Sequence, residues 1–367
     1  MHIIPNIVKF LVKMKGRSNV RKITKLSALL LSLILTLVMF IGCSNEKKTI
    51  NVLNYGENIA DGIIEEFEKE YNVKVNYKTF SDMETMYMEV SSGKVEWDAV
   101  LVADYMADRM IQEGLLQKIN KDNIPNLAEM NESDMGQPYD PNNDYTVPYM
   151  NGTIGIVYNK DVVDEPVDSW SIMWDKKYEK EIFILDSMRD TIGMAAKYLG
   201  YSLNTTDEKE LQDIQNALIE QKELILTRGS DNVIDLVLNG EASIAMIWSG
   251  EGLTLASENE NLEFVIPKEG TNYWLDSWAI PTNAKDKETA EEFINFVSSK
   301  DNALRIADQI GYTTPNKLAM EEQSEEVRNN KNAYMPKEIM DKCEVYSYLP
   351  QDKLKLYEDV WINVYTE

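Results

Sequence analysis

The run Tyr273-Trp274-Leu275-Asp276-Ser277-Trp278 holds the residue types best suited to chemistry. In an extended strand successive side chains alternate between faces, so Trp274, Asp276 and Trp278 share one face. An indole beside a carboxylate makes a poor core and a good cradle for an organic cation. The ring face attracts positive charge and the carboxylate neutralises it, each cation–aromatic contact contributing about 0.5–2 kcal/mol. A second tryptophan, Trp248, ends the apolar run Met246-Ile247-Trp248. By pattern alone Trp248 fits a core position as well as a pocket wall. Trp274 with Asp276 is divided between the two, although a neighbouring acid argues against a pure core. Trp278 reads as core or hinge packing.

The composition removes much other chemistry. His2 is the only histidine, and Cys43 and Cys343 are the only cysteines. Ser-His-Asp and Cys-His nucleophile systems and ordinary zinc sites are therefore not expected, nor is a disulfide framework. Carboxylate pairs could still do acid–base work. No Asp-x-Asp-x-Asp-Gly loop offers itself to calcium, and no cofactor or metal is expected. The formal charge is −25. All seven basic residues before Cys43 (Lys9, Lys13, Lys15, Arg17, Arg21, Lys22, Lys25) stand in a stretch without acids, which leaves 30 basic against 62 acidic residues for the rest. Such a body repels phosphate backbones, so nucleic acid is not an expected partner, and it attracts cations at long range. The same charge also serves solubility.

The elements that must position these residues follow from periodicity. Ile50 to Asn54, Val73 to Phe80 and Trp97 to Ala103 read as strands. Glu57 to Tyr71, with Ile59, Ile63 and Phe67 on one face, reads as a helix, as do Met83 to Ser92 and Asp104 to Glu113, the last capped by its own aspartate. Strands alternating with helices imply an α/β unit with parallel pairing, and ligands in such sheets bind beyond the carboxyl ends of strands. Asn54-Tyr55-Gly56-Glu57 and Ala103-Asp104-Tyr105 occupy those ends. A polar stretch, Pro125 to Tyr145, leads through Val147-Pro148-Tyr149 to a strand at Ile154 to Asn159. Helices are expected at Thr191 to Leu199, Asp207 to Gln221, Asn232 to Asn239 and Lys287 to Ser298, with a charged helical stretch from about Gln323 onward.

The N-terminus is a targeting segment set apart from the fold. A basic region ends at Lys25, Leu26 to Gly42 is apolar but for Ser27, Ser32 and Thr36, and Cys43 follows. A small residue before cysteine at the end of such a run resembles a bacterial lipoprotein cleavage site, with Cys43 as the lipidated residue. Phe40 and Ile41 depart from the usual residues there. The alternative is an uncleaved membrane anchor, although about seventeen residues lies at the short limit for a span. Met14 is a second candidate start.

Several motifs in order carry a resemblance. Glu84-Thr85-Met86-Tyr87, Asp140-Pro141-Asn142-Asn143-Asp144-Tyr145, Val147-Pro148-Tyr149, Leu199-Gly200-Tyr201-Ser202-Leu203-Asn204-Thr205-Thr206-Asp207, Met246-Ile247-Trp248, Trp274-Leu275-Asp276-Ser277 and Ile310-Gly311-Tyr312-Thr313-Thr314-Pro315-Asn316 span nearly all of the body. The chain resembles the spermidine/putrescine-binding proteins of polyamine ABC importers. That resemblance implies an α/β, two-lobe type II periplasmic-binding-protein fold, each lobe a mostly parallel sheet flanked by helices, with the ligand cleft between lobes. The segments would be 1–42 signal peptide, 43–49 tether, 50–152 plus 277–322 lobe 1, and 153–276 plus 323–367 lobe 2.

Carried over residue by residue, the resemblance implies a ligand site of Tyr55, Tyr105, Asp190, Trp248, Trp274, Asp276 and Tyr312. Gly56, Asn58, Ser187 and Tyr346 stand at further pocket positions, where the family more often has threonine, tyrosine, a second acid and glutamine. Ala103 stands where serine is frequent. The acidic pair at one end is thereby reduced, which leaves diamine and triamine ligands both open. Asp190 also fits as a cap of the helix from Thr191. The implied function is an extracytoplasmic, lipid-anchored, monomeric solute receptor that captures putrescine or spermidine without catalysis and delivers it to an importer permease. The chain lacks Gly-x-x-x-x-Gly-Lys-Ser/Thr, so the ATPase is a separate protein. Alternatives are a receptor for another small organic cation, a surface glycoside hydrolase using Asp190 and Asp276, and an adhesive or structural lipoprotein.

Overall fold

The computed structural model describes residues 47–365 apart from Glu57 and Asp231. The leader and Cys43 lie outside the described residues. The fold belongs to the unit Thr49–Glu367.

Nine strands form one sheet: β1 Lys48–Tyr55, β2 Val73–Phe80, β3 Ala99–Val102, β4 Thr146–Asn159, β5 Ile182–Leu185, β6 Ile225–Gly229, β7 Ile244–Trp248, β8 Leu262–Val265 and β9 Tyr273–Ala279. Their order is β2-β1-β3-β9-β4-β7-β5-β6, with β8 also paired to β4. Towards the two ends, β1 with β3, β5 with β6 and β5 with β7 run parallel. The middle is antiparallel, where β9 pairs β3 and β4. Strand β4 is longer than the expected Ile154 to Asn159. Its fourteen residues lie beside β9 from Thr146 to Thr153, beside β7 from Ile154 to Tyr158 and beside β8 from Ile156 to Asn159. Pro148 is accommodated where the register shifts between Pro148 and Met150, because a bulge spares the ladder hydrogen bond that proline cannot donate.

Helices α1 Ile63–Tyr71, α2 Met83–Ser91, α3 Asp104–Gln112, α4 Met188–Leu199, α5 Glu208–Lys222, α6 Val233–Leu238 and α7 Ser249–Glu258 cover the sheet, followed by α8 Lys287–Val297, α9 Lys300–Ile310, α10 Lys317–Glu322, α11 Glu325–Asn329, α12 Lys337–Met340 and α13 Gln351–Tyr365. Helix starts differ from the sequence expectation, and α4 begins at Met188 after the N-cap Ser187, so Asp190 does not cap it. The first helix starts at Ile63 because Gly62 holds a left-handed conformation at φ 82°. Ile59 still packs on the same core as Ile63 and Phe67, but from the preceding turn. Asp104 does not cap α3. Ala103 holds the extended N-cap conformation, and Asp104 lies in the first helical turn.

Three apolar clusters explain this arrangement. Along β1 and β3 the alternation is strict: Val52, Ala99 and Leu101 face one cluster with Phe67 and Phe293, while Leu53, Val100 and Val102 face another with Met86, Met106 and Met110. A parallel strand buried on both faces reads as a continuous apolar run, as these do. The third cluster gathers Ile156, Val157, Phe183, Ile184, Ala245 and Ile247, and Tyr357, Val360 and Val364 of α13 join it. Trp278 is fully buried, edge-on to Tyr149 at 5.3 Å and Phe293 at 5.4 Å, so it lies in the core, as its position in the strand suggests.

Candidate functional site

Trp274 and Asp276 lie on one face of β9, opposite Gly152 and Met150 of β4. Trp274 can lie flat there only because residue 152 lacks a side chain. A Cβ on Gly152 would fall 2.3 Å from the indole, far inside van der Waals contact. Tyr312 then meets Trp274 edge to face, with ring centroids 4.9 Å apart and planes at 82°. Gly311, at φ 85°, ends α9 and turns the chain so that Tyr312 reaches this position. A second glycine makes room for Tyr312, since a Cβ on Gly250 would lie 2.5 Å from its ring. The Tyr312 hydroxyl donates to Glu251 at 3.2 Å. Trp248 ends β7 immediately before α7, the helix that carries Gly250 and Glu251, and packs half-buried against the third cluster.

Asp276 is only partly exposed, and burial pushes its carboxyl up to about 8, with the neighbouring Asp104 charge acting the same way. Among the described residues no hydrogen bond or salt bridge compensates it. Asp104 is 1% exposed. Its Oδ1 accepts the Tyr105 amide at 2.6 Å, while Oδ2 is buried without a partner. Burial raises this carboxyl to about 7, against the opposing pull of the Tyr105 amide, the Arg189 charge and the Tyr346 and Leu275 amides. Two neighbouring carboxyls, one buried and one partly so, disfavour double ionisation unless a proton or a cation lies with them. The strand-end rule places Asp104 beside Tyr105 where ligands bind, but the residues implied by the family resemblance include Tyr105 and not Asp104.

Around this pair stand tyrosines. Tyr105, half-buried, has its phenol raised by burial, then by Glu84, Asp104 and Asp276, and its hydroxyl lies 3.4 Å from Glu84. Tyr139 and Tyr149 are raised well above the usual range, first by burial, and both feel Asp276. Neither was nominated from sequence as a site residue, although Tyr149 belongs to a quoted motif. Tyr55 is 37% exposed and packs edge-on to Phe80 at 5.4 Å. It lies near Tyr312, whose phenol it helps to keep protonated, after burial, Glu251 and Asp276. Gly56 adopts φ 47° and has open space where a side chain would stand. Asn58 contributes its backbone carbonyl, which accepts from the Tyr149 hydroxyl at 2.6 Å and from Asn54 at 3.0 Å.

Asp190 stands in the first turn of α4, after the N-cap Ser187. The Tyr346 hydroxyl lies 2.9 Å from its Oδ1. Burial raises this carboxyl, while hydrogen bonds from Ser187 and Tyr346 and the Arg189 charge oppose the shift. The structure thus brings together Trp274, Tyr312, Asp276, Tyr105 and Tyr55 in one group and Asp190, Ser187 and Tyr346 in another. Asp104 lies near both, its carboxyl influenced by the Leu275 amide of one group and by Arg189 and the Tyr346 amide of the other. No group of three or more metal-ligating side chains is present among the described residues. A cavity of about 590 Å³ beside Lys197, Gly200 and Glu344 includes none of these residues.

The family model for bacterial extracellular solute-binding proteins matches residues 62–335. The chain belongs to that family. Among similar proteins, the spermidine/putrescine-binding periplasmic protein of Escherichia coli (strain K12) is 37% identical over 302 residues, covering 82% of this chain and 87% of that one. A putrescine-binding periplasmic protein of Pseudomonas aeruginosa is 29% identical, covering 87% and 92%. Among solved structures, a spermidine/putrescine ABC transporter substrate-binding protein from Streptococcus pneumoniae aligns with TM-score 0.82 and 31% identity, over 87% of this chain and 99% of that one. A lipoprotein of Treponema pallidum aligns with TM-score 0.77 and 25% identity, over 87% and 100%. The fold is therefore the two-lobe α/β arrangement of type II periplasmic binding proteins, and this family member carries the Trp274–Asp276 pair on the central antiparallel strand of that fold.

Proposed function

We propose that the protein is the polyamine receptor of an ABC importer, capturing putrescine or spermidine outside the cytoplasm and passing it to a permease driven by a separate ATPase. The observation that carries this reading is Asp276, a carboxylate without a cationic partner beside the Trp274–Tyr312 pair. A protonated polyamine has ammonium ends and an apolar spine. Each ammonium needs a carboxylate once desolvated, because an unpaired buried charge costs several kcal/mol, on the order of the ion desolvation penalty. Asp276 serves that role, Asp190 bounds the other end, and Tyr55, Tyr105, Trp248, Trp274 and Tyr312 enclose the spine. Gly56, Asn58, Ser187 and Tyr346 shape the ends. The Escherichia coli, Pseudomonas aeruginosa and Streptococcus pneumoniae relatives are named for binding or transporting spermidine or putrescine, which supports binding rather than hydrolysis as the task of this site.

The lobes in this reading are 50–152 plus 277–322 and 153–276 plus 323–367, closing over the ligand. Cys43 carries the lipid that holds the receptor at the membrane, and the receptor works as a monomer. Replacing Cys43 by serine should move the protein from the detergent phase to the aqueous phase in a phase-partition assay; unchanged partition would remove the anchor from this account. Calorimetric titration with putrescine, cadaverine, spermidine and spermine tests the receptor itself. One-to-one binding of at least one amine is expected, and silence with all four contradicts it.

A further inference from the structure

We propose that Tyr346 sets ligand length, filling the Asp190 end of the site so that the receptor favours diamines over triamines. This rests on the polyamine reading above and sharpens it. Tyr346 is 7% exposed, and its hydroxyl lies 2.9 Å from Asp190 Oδ1 and 3.0 Å from the Arg189 carbonyl oxygen. Its position is fixed on three sides. The Arg189 guanidinium stacks on the ring at 4.4 Å. Gly193 of α4 supplies the space for the hydroxyl, since a Cβ there would stand 2.9 Å from it. Asn204 grips the chain on both sides of Tyr346, donating to the Val345 carbonyl at 2.9 Å and accepting the Ser347 amide at 2.9 Å.

The electrostatic consequence follows from those contacts. Asp190 receives a neutral phenol where an ammonium would otherwise bind, and the fixed Arg189 charge beside it repels a ligand cation. Residue 187 is serine and adds no second carboxylate. The opposite group retains Asp276 and Asp104, with Oδ2 of Asp104 buried and unpartnered. Recognition of ammonium groups is therefore concentrated at the Asp276 side. A third ammonium, projecting toward Asp190, meets an occupied carboxylate and a guanidinium.

Calorimetry on the wild-type protein and Tyr346→Gln, with putrescine and spermidine, tests this. The wild type should bind putrescine at least about tenfold more tightly than spermidine, and Tyr346→Gln should shift that ratio toward spermidine by about tenfold or more. A wild-type preference for spermidine or an unchanged ratio in Tyr346→Gln overturns the inference. Either of these leaves the polyamine reading in place. Absence of binding by either amine to the wild type contradicts the polyamine reading, and the inference falls with it.

Discussion

Asp276 and Asp104 are the residues on which the account turns. A free carboxyl in an unfolded chain titrates near about 4, whereas burial holds these two at about 8 and about 7. Between those values the folded chain keeps protons that the unfolded chain has lost. Stability without ligand should therefore fall as pH rises from about 4 through about 8, and level off above. Thermal unfolding across that range checks the sign. Removing the charge should reverse part of the loss, so Asp276→Asn should melt higher than wild type at the alkaline end when no amine is present. A lower melting temperature for the variant there would mean that the carboxylate has an unrecognised partner. An ammonium ligand replaces the proton, so affinity should strengthen by up to about tenfold per pH unit as pH rises toward about 8.

Strands and helices differ in how plainly they were written. Val73 to Phe80 alternates cleanly and forms β2 with the expected bounds. Trp274, Asp276 and Trp278 share a face because period two leaves no choice, and that much of the candidate site was legible directly. The start of α1 was not, because the apolar stripe from Ile59 continues through a turn that only the φ of Gly62 reveals. Asp104 was misassigned because a cap and a buried first-turn acid look identical in sequence; packing alone separates them. Gly152 and Gly250 gave no local signal, since their role lies in rings from distant segments. The shared face still splits in function, with Trp274 beside Tyr312 and Trp278 between Tyr149 and Phe293. Trp278→Ala should cost about 3–5 kcal/mol of stability, as large-to-small changes in a tight core do, while leaving amine affinity near wild type at a temperature where the variant is folded. Trp274→Ala should do the opposite, weakening binding with little loss in denaturant midpoint. Exchange of those two phenotypes would invalidate the face assignment.

At the scale of the whole molecule, β4 and β9 run side by side through the middle of the sheet, between the Phe67–Phe293 cluster and the Phe183–Ile247 cluster. Motion of one cluster's elements against the other's must pass through these two strands, and the site residues Trp274 and Asp276 sit on one of them. Closure over a ligand should therefore shrink the molecule, and X-ray scattering should show a smaller radius of gyration with saturating amine than without. An identical radius in both states would argue that the lobes do not move. The acid excess acts at this scale as well, drawing cations toward the molecule before any contact, an effect that salt screens.

The central claim is that an ammonium group replaces the proton on Asp276. Its most direct test is calorimetric titration of the wild type and Asp276→Asn with putrescine at about pH 6 and about pH 8, in buffers of different ionisation enthalpy. One-to-one binding that strengthens at the higher pH, releases a proton and is lost by about a hundredfold or more in Asp276→Asn is the predicted result. Equal affinity in wild type and variant, with no proton released, would contradict the account.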